Sequence, residues 1–215
     1  MKDIQLTIFD CDGVLVDSEA ISNAVVAEML SDQGLPMTAE EGTRHFAGTS
    51  MKYIHEFFYQ KTGLYLPDDF EEIYRGRSFE AFERDLQAVE GVREAIQQID
   101  LPRCVGSNGP LKKVRFNLTL TNLLPFFGDN LFSAYEIGRW KPLPDLYLHA
   151  AAQMGVAPAH CVVIEDSVSG VQAAKAAGIR VLGFAGHGSG DGLREAGAEV
   201  FHKMSELPDR IAALQ

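Results

Sequence analysis

The apolar run IQLTIFD, Ile4 to Asp10, constrains this chain more than any other stretch. Its length and composition predict a short buried strand. It delivers the chain directly into acids at Asp10, Asp12, Asp17 and Glu19. Then about seventy residues of helix-like sequence follow before strand signals resume. The first strand is therefore cut off from its partners by an insertion. Carboxylates this close repel one another, so something must offset their charge.

The insertion begins with SEAISNAVVAEMLSDQG, a predicted helix with Ser18 as its N-cap and Gly34 as its stop. TAEEGTRHFAG, SMKYIHEFFYQKTG and PDDFEEIYRGRSFEAFERDL read as further helices, each bordered by Gly or Pro. Phe57, Phe58, Tyr74, Phe79 and Phe82 supply anchors for a small helical core. After VEGVREAIQQID the pattern alternates. PRCVGSN, NLFSAYEI, HCVVIED, RVLGFAG and AEVFHK carry strand signals. Between and after them, PLKKVRFNLTLTNL, PDLYLHAAAQMG, SGVQAAKAAG, GDGLREAG and LPDRIAALQ read as helices, the first weakened by Thr119 and Thr121. Alternation of this kind predicts βαβ units and a parallel sheet covered on both faces. The expected fold is α/β, a doubly wound, Rossmann-like parallel sheet core with an inserted all-helical cap domain. The core is expected over residues 1–15 and 89–215 and the cap over 16–88.

With 215 residues and 46% hydrophobic content, the chain can bury such a core. A net charge of −11 argues against a nucleic-acid partner, which calls for a basic face. No apolar run approaches the roughly 20 residues that span a bilayer, so no membrane partner is expected. Acids interrupt the N-terminal apolar run, which makes a poor signal peptide, and a cytoplasmic protein is expected. Cys11, Cys104 and Cys161 lack paired spacing and read as buried thiols. The oligomeric state is left open. An acidic chain that handles an anion must build a local positive site, from a metal or a few placed cations.

Ligands of open α/β sheets bind beyond the carboxyl ends of the strands. Those ends carry Asp10 and Asp12, Ser107 and Asn108, and Glu165 and Asp166, and Lys141 lies just before a helix. Strand alternation puts Asp10 and Asp12 on one side and turns Cys11 away. Any one of these acids alone reads as a turn residue or cap. Together at strand ends they read as a site. An all-oxygen cluster suits a hard dication, with Mg²⁺ the best fit. A metal beside Lys141, Ser107 and Asn108 suits a phosphoryl group. One aspartate can then attack phosphorus while a second serves as acid and base.

These residues carry a resemblance to the haloacid dehalogenase superfamily, in its phosphatase branch with a helical cap. FDCDGVLVDSE resembles the first motif of that family, VGSNG the second, RWKPLPDLY the third and VIEDSVSGVQAAKAAG the fourth. The likeness runs over nearly the whole chain and is weakest in the cap. It implies that Asp10 is the nucleophile and becomes an aspartyl-phosphate. Asp12 protonates the leaving oxygen and then activates water, and its backbone carbonyl binds Mg²⁺. Ser107 and Asn108 bind the phosphoryl oxygens, and Lys141 neutralises them and the nucleophile. Asp166 ligates Mg²⁺, and Glu165 does so directly or through water. Dehalogenases lack the second aspartate, so Asp12 and the Glu165–Asp166 pair favour phosphoryl chemistry on a small phosphorylated metabolite.

Asp17 and Glu19 read as structural, Asp17 tying down the turn and Glu19 in the first turn of the cap helix. In HFAGTSMK, Gly48, Thr49, Ser50 and Lys52 offer donors to a polar substrate. Sugar-phosphate mutases of the β-phosphoglucomutase type share core and cap and hold a second phosphate with basic cap residues. The matching positions here are Ser22 and Met51, which favours simple hydrolysis. SNGP and RWKP add a narrower likeness to bacterial sugar-acid phosphate phosphatases of the 6-phosphogluconate type, with Trp140 read as packing. A non-catalytic phosphate-binding regulator is the alternative of another class. It would be expected to lack Asp10, Asp12, Lys141 or the acidic pair, and all are present.

Overall fold

The computed structural model describes residues 3–47, 49–186 and 188–214. β1 spans Leu6–Phe9 and is buried at every position. A strand this apolar needs neighbours on both edges. β2 (Arg103–Ser107) and β4 (Cys161–Glu165) pair with it in parallel, so Ile8 faces Cys104 on one side and Val163 on the other. β3 (Leu131–Ser133) lies outside β2, and β5 (Arg180–Phe184) and β6 (Glu199–Phe201) extend the far edge. The order of this six-stranded sheet is β3-β2-β1-β4-β5-β6. The winding reverses between β1 and β4, which opens a crevice beyond the carboxyl end of β1.

Four helices follow β1 directly along the chain: α1 (Glu19–Asp32), α2 (Ala39–Phe46), α3 (Met51–Thr62) and α4 (Phe70–Asp85). The rest follow the alternation: α5 (Val92–Gln98), α6 (Leu111–Leu120), α7 (Ala134–Ile137), α8 (Asp145–Gln153), α9 (Val168–Ala176), α10 (Asp191–Glu195) and α11 (Leu207–Ala212). α6 survives its threonines because their hydroxyls bond back along the helix. Thr119 Oγ1 donates to the Arg115 carbonyl at 2.7 Å and Thr121 Oγ1 to that of Asn117 at 2.8 Å.

Among the described residues the chain divides into two compact units. Residues up to Val16 and from Ala88 onward form one, and Asp17–Gln87 the other. In the first, Leu6, Ile8, Cys104 and Val163 pack with Tyr147 and Ala150 of α8 and with Val171 and Ala174 of α9. The chain leaves this unit and re-enters it at one place, where Val16 bridges Ala88 and the Val89 N–H donates to the Leu15 carbonyl at 3.0 Å. Cys11, Cys104 and Cys161 are all free and buried.

The second unit has its own core, in which Val26, Leu30, Phe46, Phe57, Phe58 and Phe70 meet and Tyr74 packs against them. Thr38 and Glu41 form a capping box on α2, and Ser50 caps α3, which ends on Gly63. Ser18 stands at the N-cap of α1, as its sequence position predicts, yet makes no side-chain capping bond. Its backbone is already helical (φ −95°, ψ −15°), whereas a capping side chain works from extended backbone. Gly34 follows the end of α1 with φ +88°. No described helix is long and apolar enough to cross a membrane.

Candidate active site

Asp10 is the first residue past β1, and its N–H donates to the Ile164 carbonyl at 3.0 Å. That bond sets the aspartate against the end of β4. Lys141 reaches the same point from the loop before α8. Its ammonium lies 2.8 Å from Asp10 Oδ1 and 2.6 Å from Glu165 Oε1, with a side chain only 2% exposed. Burial works against this ammonium. The Asp10 and Glu165 carboxylates more than reverse it, raising Lys141 above an ordinary lysine.

The two carboxylates beside Lys141 respond in opposite directions. Burial pushes Asp10 up to about 7, against the pull of Lys141. Burial would raise Glu165 as well, but Lys141, Tyr147 and the Ser167 backbone bring it below the usual range. Glu165 is wholly buried and accepts five hydrogen bonds. Oε1 takes Lys141 Nζ at 2.6 Å and the Tyr147 hydroxyl at 2.7 Å. Oε2 takes the Asp166 and Ser167 N–H groups at 3.1 and 2.9 Å and Ser167 Oγ at 2.8 Å. The carboxylate thus sits at the entrance of α9, where backbone donors and the helix dipole favour negative charge.

Asp10, Glu165 and Asp166 each offer an oxygen, all within 4.8 Å of one another, so this group could hold a metal ion. An all-carboxylate set suits a hard dication. Within it, Glu165 is already bound by its five donors, so Asp10 and Asp166 are the more open members. The Asp166 carboxylate lies against Gly13, so close that a side chain there would overlap it. Gly13 also has φ +78°, which favours glycine.

Ser107 ends β2 and is buried. Its Oγ accepts the Gly109 N–H at 3.0 Å, which leaves the hydroxyl proton available to a ligand. Asn108 Oδ1 accepts the Lys141 backbone N–H at 3.0 Å and so ties the second motif to the third. Ser133 Oγ, at the end of β3, donates to the Gly109 carbonyl at 2.7 Å and steadies the same loop. Asp12 Oδ2 pairs with Lys113 Nζ at 2.9 Å. Burial pushes the Cys11 thiol far up, so it is no nucleophile.

All seven residues predicted from the strand ends lie in the sheet unit; contacts join Asp10, Asn108, Lys141, Glu165 and Asp166, whereas Asp12 is held by Lys113 and Ser107 bonds to Gly109. The other expectations divide. Glu19 opens α1, in its first turn. Thr49 Oγ1 donates to the Phe46 carbonyl at 2.9 Å, and Ser50 Oγ accepts the Tyr53 N–H at 3.3 Å. Both hydroxyls therefore serve helix ends. Lys52 stands 3.8 Å from Glu56, and Gly48 lies outside the described residues. Trp140 is half-exposed and packs edge-on against Tyr135.

Sequence reasoning missed Tyr147, Ser167 and Gly170. A methyl on Gly170 would overlap the Glu165 carboxylate. A glycine inside a helix pattern three residues past a serine N-cap was the available signal. Tyr147 carried none, since its ring reads as core and only its hydroxyl is functional. Lys113 and Asn117 were missed as well.

A family model for haloacid dehalogenase-like hydrolases matches residues 4–178. The chain is 35% identical to 6-phosphogluconate phosphatase of Escherichia coli over 97% of its own length and 95% of that protein. It is 31% identical to hexitol phosphatase B of Escherichia coli over 84% and 83% of the two chains. A solved haloacid dehalogenase-like protein of Agrobacterium tumefaciens superposes with a TM-score of 0.88 at 40% identity, covering 98% of this chain and 99% of that one.

Proposed function

Since this chain belongs to the haloacid dehalogenase-like hydrolase family, we propose that it releases phosphate from a small sugar phosphate or sugar-acid phosphate through an aspartyl-phosphate on Asp10. It is an enzyme, a phosphoric monoester hydrolase. The observation that carries the mechanism is the buried Lys141 ammonium, 2.8 Å from Asp10 and 2.6 Å from Glu165 at the strand ends. A cation held this rigidly next to a carboxylate is a preorganised place for a phosphoryl group. The 6-phosphogluconate phosphatase relative, at 35% identity, supports the sugar-acid class.

In this reading an Asp10 oxygen bonds to phosphorus as the ester P–O bond breaks. The departing oxygen takes its proton from Asp12. Water then attacks the aspartyl-phosphate, Asp12 takes the water's proton, and phosphate leaves with Asp10 restored. Lys141 balances the charge of Asp10 and of the incoming phosphoryl oxygens, and the Ser107 hydroxyl and the Asn108 amide donate to those oxygens. Asp10 and Asp166 would hold Mg²⁺, together with the Asp12 carbonyl, and Glu165 stands behind them as the anchor of Lys141. Bound there, Mg²⁺ supplies positive charge that offsets the phosphoryl group. Residues 17–87 serve as the cap domain in this reading.

Phosphate release from a panel of sugar phosphates, sugar-acid phosphates and nucleotides, ranked by kcat/KM, tests this. Sugar-acid or sugar phosphates rank first, EDTA stops turnover, and added Mg²⁺ restores it. Undiminished turnover of the Asp10→Asn variant would sink the mechanism. A nucleotide at the head of the ranking would sink the substrate class.

A further inference from the structure

Lys113 and Asn117 are one turn apart on α6 and share a face. Both reach Asp12. Lys113 Nζ lies 2.9 Å from Oδ2, and Asn117 Nδ2 lies 3.5 Å from Oδ1. Lys113 could turn its ammonium to water, yet its side chain is only 26% exposed and its ammonium points inward at the aspartate. Asn117 is wholly buried, and its Oδ1 has no hydrogen-bond partner. A buried amide with an unmet acceptor works against the fold, so packing alone would favour an apolar residue there. One helix face thus presents two polar groups to one carboxyl group, at a cost that core packing does not explain.

We infer that Lys113, backed by Asn117, is a positioning pair that holds the Asp12 carboxyl group for proton delivery to the leaving oxygen. The inference rests on the acid–base role proposed for Asp12. Neither side chain touches the reacting atoms. They act by restricting the Asp12 side chain, so that the donated proton meets the ester oxygen as the P–O bond breaks. The effect should then scale with how much the leaving group needs a proton. A sugar alkoxide needs one and p-nitrophenolate does not. kcat/KM covers binding and this first chemical step and leaves out hydrolysis of the aspartyl-phosphate, because it ends with departure of the leaving group.

The experiment compares Lys113→Met, Lys113→Arg and Asp12→Ala with the wild type on 6-phosphogluconate and on p-nitrophenyl phosphate. For Lys113→Met, kcat/KM should fall about 30-fold on the alkyl ester and less than about threefold on the aryl ester. Lys113→Arg, which keeps a charged donor, should recover most of the loss. Asp12→Ala should show the same split more strongly. If Asp12→Ala shows the split and Lys113→Met does not, the positioning role is overturned and the acid role stands. Equal losses on both esters for Lys113→Met overturn it too, because a phosphate-binding or structural lysine would act on both. If Asp12→Ala itself shows no split, the acid assignment falls, and this inference falls with it.

Discussion

Asp10, the proposed nucleophile, shows how a buried acid can weigh against the fold that carries it. Its carboxyl is buried and raised to about 7 from an unfolded value near 3.8. A raised acid favours the folded state while protonated, and that contribution is lost as pH rises through the folded value. Metal-free protein should therefore lose stability between about pH 4 and pH 7 through this group. Asp10→Asn removes the titration. In EDTA that variant should match the wild type near pH 4 and exceed it at pH 8, by on the order of 4 kcal/mol in urea unfolding. A stability difference that stays flat with pH would contradict the burial argument. The same substitution should abolish turnover, so stability and activity move in opposite directions at one residue.

At the scale of elements, the turn from β4 into α9 holds the most information in the fewest residues. Glu165 ends the strand, Ser167 caps the helix by accepting the Gly170 N–H at 3.0 Å, and both serine groups also bind Glu165. Gly170 leaves the space that the glutamate fills. Gly170→Ala should displace that carboxylate, destabilise the protein by about 2–3 kcal/mol and lower kcat, read by urea unfolding and phosphate release. An unchanged stability would show that the turn can give way. This turn also marks where the sequence was legible and where it was not. Strands and helices were readable because hydrophobic period and capping residues are local. The convergence of Asp10, Ser107, Lys141 and Glu165 was readable because parallel strands must end on one edge. Tyr147 and Lys113 were not, because a tyrosine on an apolar helix face and a lysine on a polar one look ordinary until the fold brings a carboxylate to them. The weakness read into α6 from its threonines did not stop the helix, since Thr119 and Thr121 bond to their own backbone.

At the scale of the whole molecule, a net charge of −11 would repel a phosphorylated substrate if it were spread evenly. At the strand ends Lys141 lies between two carboxylates and Lys113 beside a third, so these lysines reduce the local negative charge without reversing it, and a bound cation at the carboxylate cluster would supply the rest. The architecture puts that local site in the sheet unit and builds residues 17–87 around a separate hydrophobic core. The sheet unit and the helical unit each bury a hydrophobic core of their own. The central claim is that phosphate passes through Asp10. Rapid quenching of the enzyme during turnover, borohydride reduction and peptide mass spectrometry test this directly, since reduction of an aspartyl-phosphate leaves homoserine. Homoserine at position 10 is the expected result. Homoserine at position 12, or an unmodified position 10 in enzyme quenched while phosphate is being released, would contradict it.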